Sequence, residues 1–298
     1  MNHEESLLMK KRERYKKKKY FSNKILVTYG VLTIVFFLGL YFPFYTLPFS
    51  VNVGFTQPTP PKAVIVDQGS LAPTSGPNPV FIKKATAILK EVGFSVDYYP
   101  GEEVTVEFYR NLPNYGYDFI IDRTHSAMHY PKSYISVSAF SLPKKGHLCI
   151  FTNEPLDRIK IKKYLFDVQN ARLIGCGYKK GGEKKGDLYF GITPCFVMLS
   201  MRWRFDGTTV IMMGCDGLKD DRMAKAYIKK GCKVYISWSG LVSSDYSDKA
   251  TICLLKHLLR EKLPVKKAVT ETMREVGSDP KYKSVMQFYP IEAEDDIL

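Results

Sequence analysis

Thr209-Val210-Ile211-Met212-Met213-Gly214-Cys215-Asp216-Gly217-Leu218 is an apolar run of strand length that breaks into Gly-Cys-Asp-Gly. Such a run reads as a buried strand, and the break reads as a turn that presents Cys215 at the strand's carboxyl end instead of packing it. Upstream, Asp118-Phe119-Ile120-Ile121 runs into Arg123-Thr124-His125-Ser126 and places a histidine at a second strand end. In an open parallel sheet, reactive groups converge in the crevice beyond the carboxyl ends of the strands. Cys215 and His125, 90 residues apart, can therefore meet.

Outward from these two strands the chain alternates. Lys62-Ala63-Val64-Ile65-Val66-Asp67 reads as a first strand, followed by a helix over 80–93, a strand over 94–99, a helix over 103–112 and the histidine strand over 117–123. After the cysteine strand, residues 219–230 carry Met223, Ala226, Tyr227 and Ile228 at helical spacing and stop at Gly231. Lys233-Val234-Tyr235-Ile236-Ser237-Trp238 is a further strand, and helices follow near 245–261 and 265–276. This rhythm predicts a doubly wound α/β layer structure with a mostly parallel sheet. Residues 130–205 break it, with short extended runs at 148–151, 173–176 and 187–192 around a basic glycine-rich loop at 179–186. They read as an antiparallel insertion able to wall the site.

The N-terminus sets an expected location. Residues 1–24 hold nine lysines and arginines against three glutamates, and residues 25–44 carry no charge. About 20 apolar residues suffice to cross a bilayer, and the cations on one side predict a cytoplasmic tail. We expect a basic cytoplasmic tail (1–24), a transmembrane helix in contact with membrane lipid (25–47), a linker (48–61) and a globular domain (62–298) outside the membrane. The apolar run is too long for a cleaved signal peptide, and no small-residue cleavage site follows it. Of the net charge of +14, +6 lies in the first 24 residues, and no aromatic-basic stripe accompanies the remainder. Nucleic acid is therefore not an expected partner. The six cysteines contain no C-x-x-C pair, so neither a metal nor another cofactor is expected, and disulfides among those other than Cys215 are permitted outside the cell.

A thiol becomes a useful nucleophile when a histidine within reach takes its proton. Backbone amides beside the two residues could stabilise an oxyanion. The strands ending in His125 and Cys215, then Gly217-Leu218, a helix, Gly231-Cys232-Lys233-Val234-Tyr235-Ile236-Ser237-Trp238 and the helix over 264–276 resemble the caspase-like cysteine peptidases of clan CD. The CHAT and gingipain-type domains are the nearest in pattern. The resemblance covers roughly residues 63–276, and only the His and Cys blocks are specific. It implies a three-layer caspase-like fold, Cys215 as nucleophile, His125 as general base, backbone amides of Ser126 and Asp216 as an oxyanion hole, and a peptide as substrate. The family usually has glycine directly after the histidine, where Ser126 stands here. A catalytically inactive binding or sensor module on the same fold is the alternative.

Taken singly, these residues have plainer readings. Cysteine is often buried, and a strand-end histidine often only packs. His129 is a weaker candidate base, and His147 and His257 have no evident partner. Asp216, Asp220, Asp221, Asp245 and Asp248 follow the cysteine strand and the next strand. They read either as helix-terminal charges or as a source of selectivity for a basic P1 residue.

Overall fold

In β1 (Lys62–Val66) the side chains of Val64 and Val66 enter one apolar cluster and those of Ala63 and Ile65 enter another. Alternate residues of a strand point to opposite faces, so both faces of this strand are covered, as befits the middle of a parallel sheet. The computed structural model describes residues 59–130, 146–180, 183–184 and 187–298. The expected cytoplasmic tail and transmembrane segment, and most of the linker, lie outside the described residues. Among the described residues no helix is long and apolar enough to cross a membrane.

From β1 the chain passes through α1 (Pro79–Glu91), β2 (Ser95–Tyr99), α2 (Val106–Asn111) and β3 (Phe119–Asp122). α1 starts at Asn78, whose side chain accepts the Phe81 amide ahead of Pro79. The next segment comprises β4 (Ser126–His129), β5 (His147–Pro155), α3 (Arg158–Lys163), α4 (Leu165–Gln169), β6 (Leu173–Cys176), β7 (Lys179–Lys180), β8 (Glu183–Lys184), β9 (Tyr189–Ile192) and α5 (Pro194–Leu199). The chain then returns through β10 (Thr209–Met212), α6 (Arg222–Lys229), β11 (Val234–Trp238), α7 (Ser244–Leu255), α8 (Val265–Val276) and β12 (Met286–Tyr289).

The main sheet has the order β12-β11-β10-β3-β1-β2, and every pairing is parallel except the antiparallel β11–β12 pair. It is an α/β sheet with helices on both faces. On one face α1, α7 and α8 bury Phe81, Leu89, Leu254 and Ala268 against Ile65, Ile121 and Ile236. On the other, Tyr109 of α2 and Met223 and Tyr227 of α6 cover Val64, Ile120 and Val210. Each large apolar side chain buried there contributes about 1.5–3 kcal/mol, so the two faces hold the strand ends in place from both sides.

The insertion differs from the sequence expectation in two ways. It starts at Ser126, because β4 leads directly off His125 into an antiparallel sheet of order β4-β5-β9-β6. It also contains α3, α4 and α5. α3 buries no residue, so no apolar stripe announces it in the sequence. The sheet's inner face, with Leu148, Ile150, Phe190 and Ile192, joins the cluster that covers α2 and α6. A Cys149–Cys176 disulfide links β5 to β6 across β9, and a Cβ on Gly191 would run into both sulfurs.

Candidate active site

β3 and β10 are hydrogen-bonded parallel neighbours, with Ile121 opposite Ile211 and Asp122 opposite Met212. Their registered ends bring His125 and Cys215 to one cavity of about 30 Å³ beyond the carboxyl ends of β1, β3, β10 and β11. Gly69, Ser75, His125, Cys215, Val242 and Ser244 are among its lining residues. The cavity is narrow, with room at its base for about one or two waters.

Local chemistry fixes the cysteine turn. The Met213 amide donates to the Asp122 carbonyl at 2.9 Å and carries the β3–β10 ladder one residue further. Gly214 then passes so close to β4 that a Cβ would meet Ser126 Oγ and stand 2.8 Å from the Thr124 carbonyl. Asp216 adopts a left-handed backbone, φ 59°, an uncommon conformation for a non-glycine residue. The peptide between Cys215 and Asp216 is held at both ends. Ser126 Oγ donates to the Cys215 carbonyl at 2.5 Å, and the Asp216 amide donates to the Gly240 carbonyl at 2.8 Å. Sγ of Cys215 lies 3.4 Å from the Val242 amide and 3.6 Å from the Val242 carbonyl.

His125 is held by the loop after β1 and by the insertion. Its Nε2 is 2.6 Å from Ser75 Oγ and 3.3 Å from Thr74 Oγ1, and Ser75 Oγ is 2.7 Å from Ser244 Oγ. Its backbone amide donates to Gln68 Oε1 at 2.7 Å, and Tyr178 of the insertion packs edge-on against the ring at 5.3 Å. The hydroxyl chain engages Nε2, and among the described residues none hydrogen-bonds Nδ1. Among the described residues no hydrogen bond joins His125 to Cys215. Burial, with help from the Arg123 cation, lowers the His125 pKa to about 4, and burial raises that of Cys215 above its usual value. At neutral pH both groups are uncharged.

Below the cavity Arg123 is shared by two carboxylates. It makes a two-point contact with Asp248 (2.9 and 3.0 Å) and a third bond to Asp67 (2.7 Å), all buried. Asn78 donates to the same Asp248 carboxylate at 2.8 Å. This network ties the ends of β1 and β3 to α7.

The structure sorts the expected site residues. Of the five aspartates only Asp248 lines the cavity, and both of its oxygens are already engaged. Asp216 is buried behind the turn with Lys219 at 3.4 Å, Asp220 pairs with Arg222 at 2.7 Å and Asp221 with Lys225 at 2.6 Å. Asp245 lines a separate groove beside α7. The five aspartates therefore do not form one specificity pocket. The expected oxyanion donors also separate. The Asp216 amide is committed to Gly240, whereas that of Ser126 sits opposite Ile150. Because the Phe151 amide donates to the His125 carbonyl, antiparallel alternation turns the Ser126 amide away from β5, off the free edge of β4. Among the described residues Asp122 makes no ion pair and no contact with the His125 ring. It is buried on the opposite face with the Tyr109 hydroxyl at 3.0 Å. His129 faces His147 across β4 and β5 and does not line the cavity. Ser75, Gln68 and Tyr178 escaped the sequence reading. Only the position of Ser75 in the loop after a central strand marks it. No family model and no curated protein matches the chain.

Proposed function

We propose that this chain is a cysteine endopeptidase of the caspase-like type, anchored by residues 25–47 with its catalytic domain on the outer face of the membrane. The observation that carries the reading is the delivery of Cys215 and His125 from adjacent parallel strands into one cavity. Three-layer α/β order with an antiparallel insertion between the two strands agrees with it. In the mechanism we infer, Nε2 of His125 rests on Ser75, so Nδ1 takes the Cys215 proton as Sγ attacks the scissile carbonyl, and later returns it to the leaving amine. The Ser126 amide is the available donor to the oxyanion. The cavity must widen before a peptide enters, by displacement of the loop carrying Thr74 and Ser75 or of the loop carrying Val242. The Cys149–Cys176 disulfide suits an oxidising exterior.

A peptide library incubated with the full chain tests the assignment. Cleavage should disappear in Cys215→Ala and fall by about a thousandfold or more in His125→Ala. An active Cys215→Ala protein ends the proposal. One observation favours a binding or sensor module instead, namely the small size of the cavity with Ser75 already on the imidazole. On that reading an irreversible thiol-directed peptide probe labels no more Cys215 in the folded than in the unfolded chain.

A further inference from the structure

α7 runs on through a π-helical turn, Lys256–Arg260, closed by the Glu261 amide donating to the Lys256 carbonyl at 3.0 Å. Such turns are rare and gather at functional sites. Here the turn carries His257 onto the same helix face as Cys253, opposite Glu275 of α8. The sulfur, one ring nitrogen and one carboxylate oxygen all lie within 4.8 Å of one another.

The hydrogen bonding of His257 gives the cluster its direction. Nδ1 is hydrogen-bonded to Glu261 Oε2 at 3.0 Å. Nε2, on the other side of the ring, is buried and faces Glu275 Oε2 at 3.5 Å. The Cys253 thiol is itself hydrogen-bonded to the Glu275 carboxylate, so a cation bound among the three groups would take the place of that thiol proton. Around a tetrahedral zinc ion, bonds of about 2.0–2.3 Å put neighbouring donors about 3.3–3.6 Å apart. The nitrogen–oxygen pair already has that spacing, and the sulfur lies within 4.8 Å of both. A histidine whose second nitrogen donates to a carboxylate is also the usual arrangement of a metal-bound imidazole.

We propose that Cys253, His257 and Glu275 form a zinc-type binding site for a divalent transition metal, with Glu261 orienting His257. Thiolate, imidazole and carboxylate together select such an ion over magnesium or calcium. Cys253 and Glu275 also line a groove of about 340 Å³ between α1, α7 and α8, so the fourth coordination position is reached from that groove. The bound ion clips α7 to α8, and α7 also supplies the Asp248 carboxylate to Arg123. The sequence reading missed the site because it looked for C-x-x-C, whereas this pair is spaced i,i+4 and its third member lies on another helix.

The test is a Co²⁺ titration of chelator-treated full chain in detergent, in a Cys215→Ala background so that the candidate active-site thiol cannot contribute. One Co²⁺ should bind per chain at micromolar concentration with a sulfur-to-cobalt charge-transfer band, and Zn²⁺ should displace it. Cys253→Ser should abolish the band. Glu275→Gln, at an exposed position that leaves the fold intact, should weaken binding about tenfold or more. Absence of stoichiometric uptake overturns the site and leaves His257 as a side chain packed between Glu261 and Glu275. A band that survives Cys253→Ser, or unchanged affinity in Glu275→Gln, overturns it equally.

Discussion

A histidine and a thiol that are both neutral at pH 7 must exchange a proton before either can react. With the His125 pKa lowered to about 4 by burial and by Arg123, the base stays unprotonated well below the ordinary histidine range. The acid limb of kcat/KM should therefore fall near pH 4, and a limb centred near 6.5, the ordinary histidine value, would contradict this environment. For Cys215 burial raises the thiol pKa, so its alkylation by iodoacetamide should be slow at pH 7 and still rising beyond pH 9. Both follow from the same seclusion, and rates measured from pH 4 to 10 check them together. Ser75 has its effect through the imidazole. Removing its hydroxyl frees Nε2 and lets the ring change tautomer, so Ser75→Ala should lower kcat on the order of tenfold with KM little changed. An unchanged kcat would show that the 2.6 Å contact does not orient the base.

At the scale of elements, the ends of β3 and β10 are built for close approach and each substitution there has a definite sign. Gly214→Ala would push a Cβ into Ser126 Oγ and the Thr124 carbonyl, and overpacking of this kind costs about 1–3 kcal/mol, readable as a shift in the urea midpoint. Asp122→Asn goes the other way. Burial raises the Asp122 pKa to about 7, so above that pH the fold bears the cost of a buried charge, while near pH 4 the group is neutral when folded. The substitution should stabilise the protein by up to about 4 kcal/mol at pH 8, less whatever burying the amide costs, and most of the gain should be lost as pH falls towards 4. The central strands and their helices were legible because their apolar residues recur with periods that both faces of a parallel sheet impose. Those of β12 were not, since Met286-Gln287-Phe288-Tyr289 is short and pairs only at an edge. His125 and Cys215 were legible because strands end at them. Ser75 on the imidazole, and Gly240 on the Asp216 amide, were not. Both contacts depend on how loops far apart in sequence fold over the sheet, and no local pattern encodes that.

At the scale of the whole molecule, the charge distribution argues for the side of the membrane on which the domain works. Nine of the 44 lysines and arginines precede Ile25, and none stands between Lys24 and Lys62. Cations flanking an apolar span are retained in the cytoplasm, so the proposed topology has the domain beyond Pro61 on the outer face. An oxidising exterior would keep the Cys149–Cys176 pair oxidised, and Gly191 leaves room for it across β9. Protease added to intact cells should therefore remove the domain beyond Pro61, and a maleimide should label the buried Cys149 and Cys176 of the denatured chain only after reduction. A domain protected until the membrane is opened would place it in the cytoplasm. The net positive charge of the tail would then face outward, an orientation opposed by the membrane potential as well as by the distribution of cations.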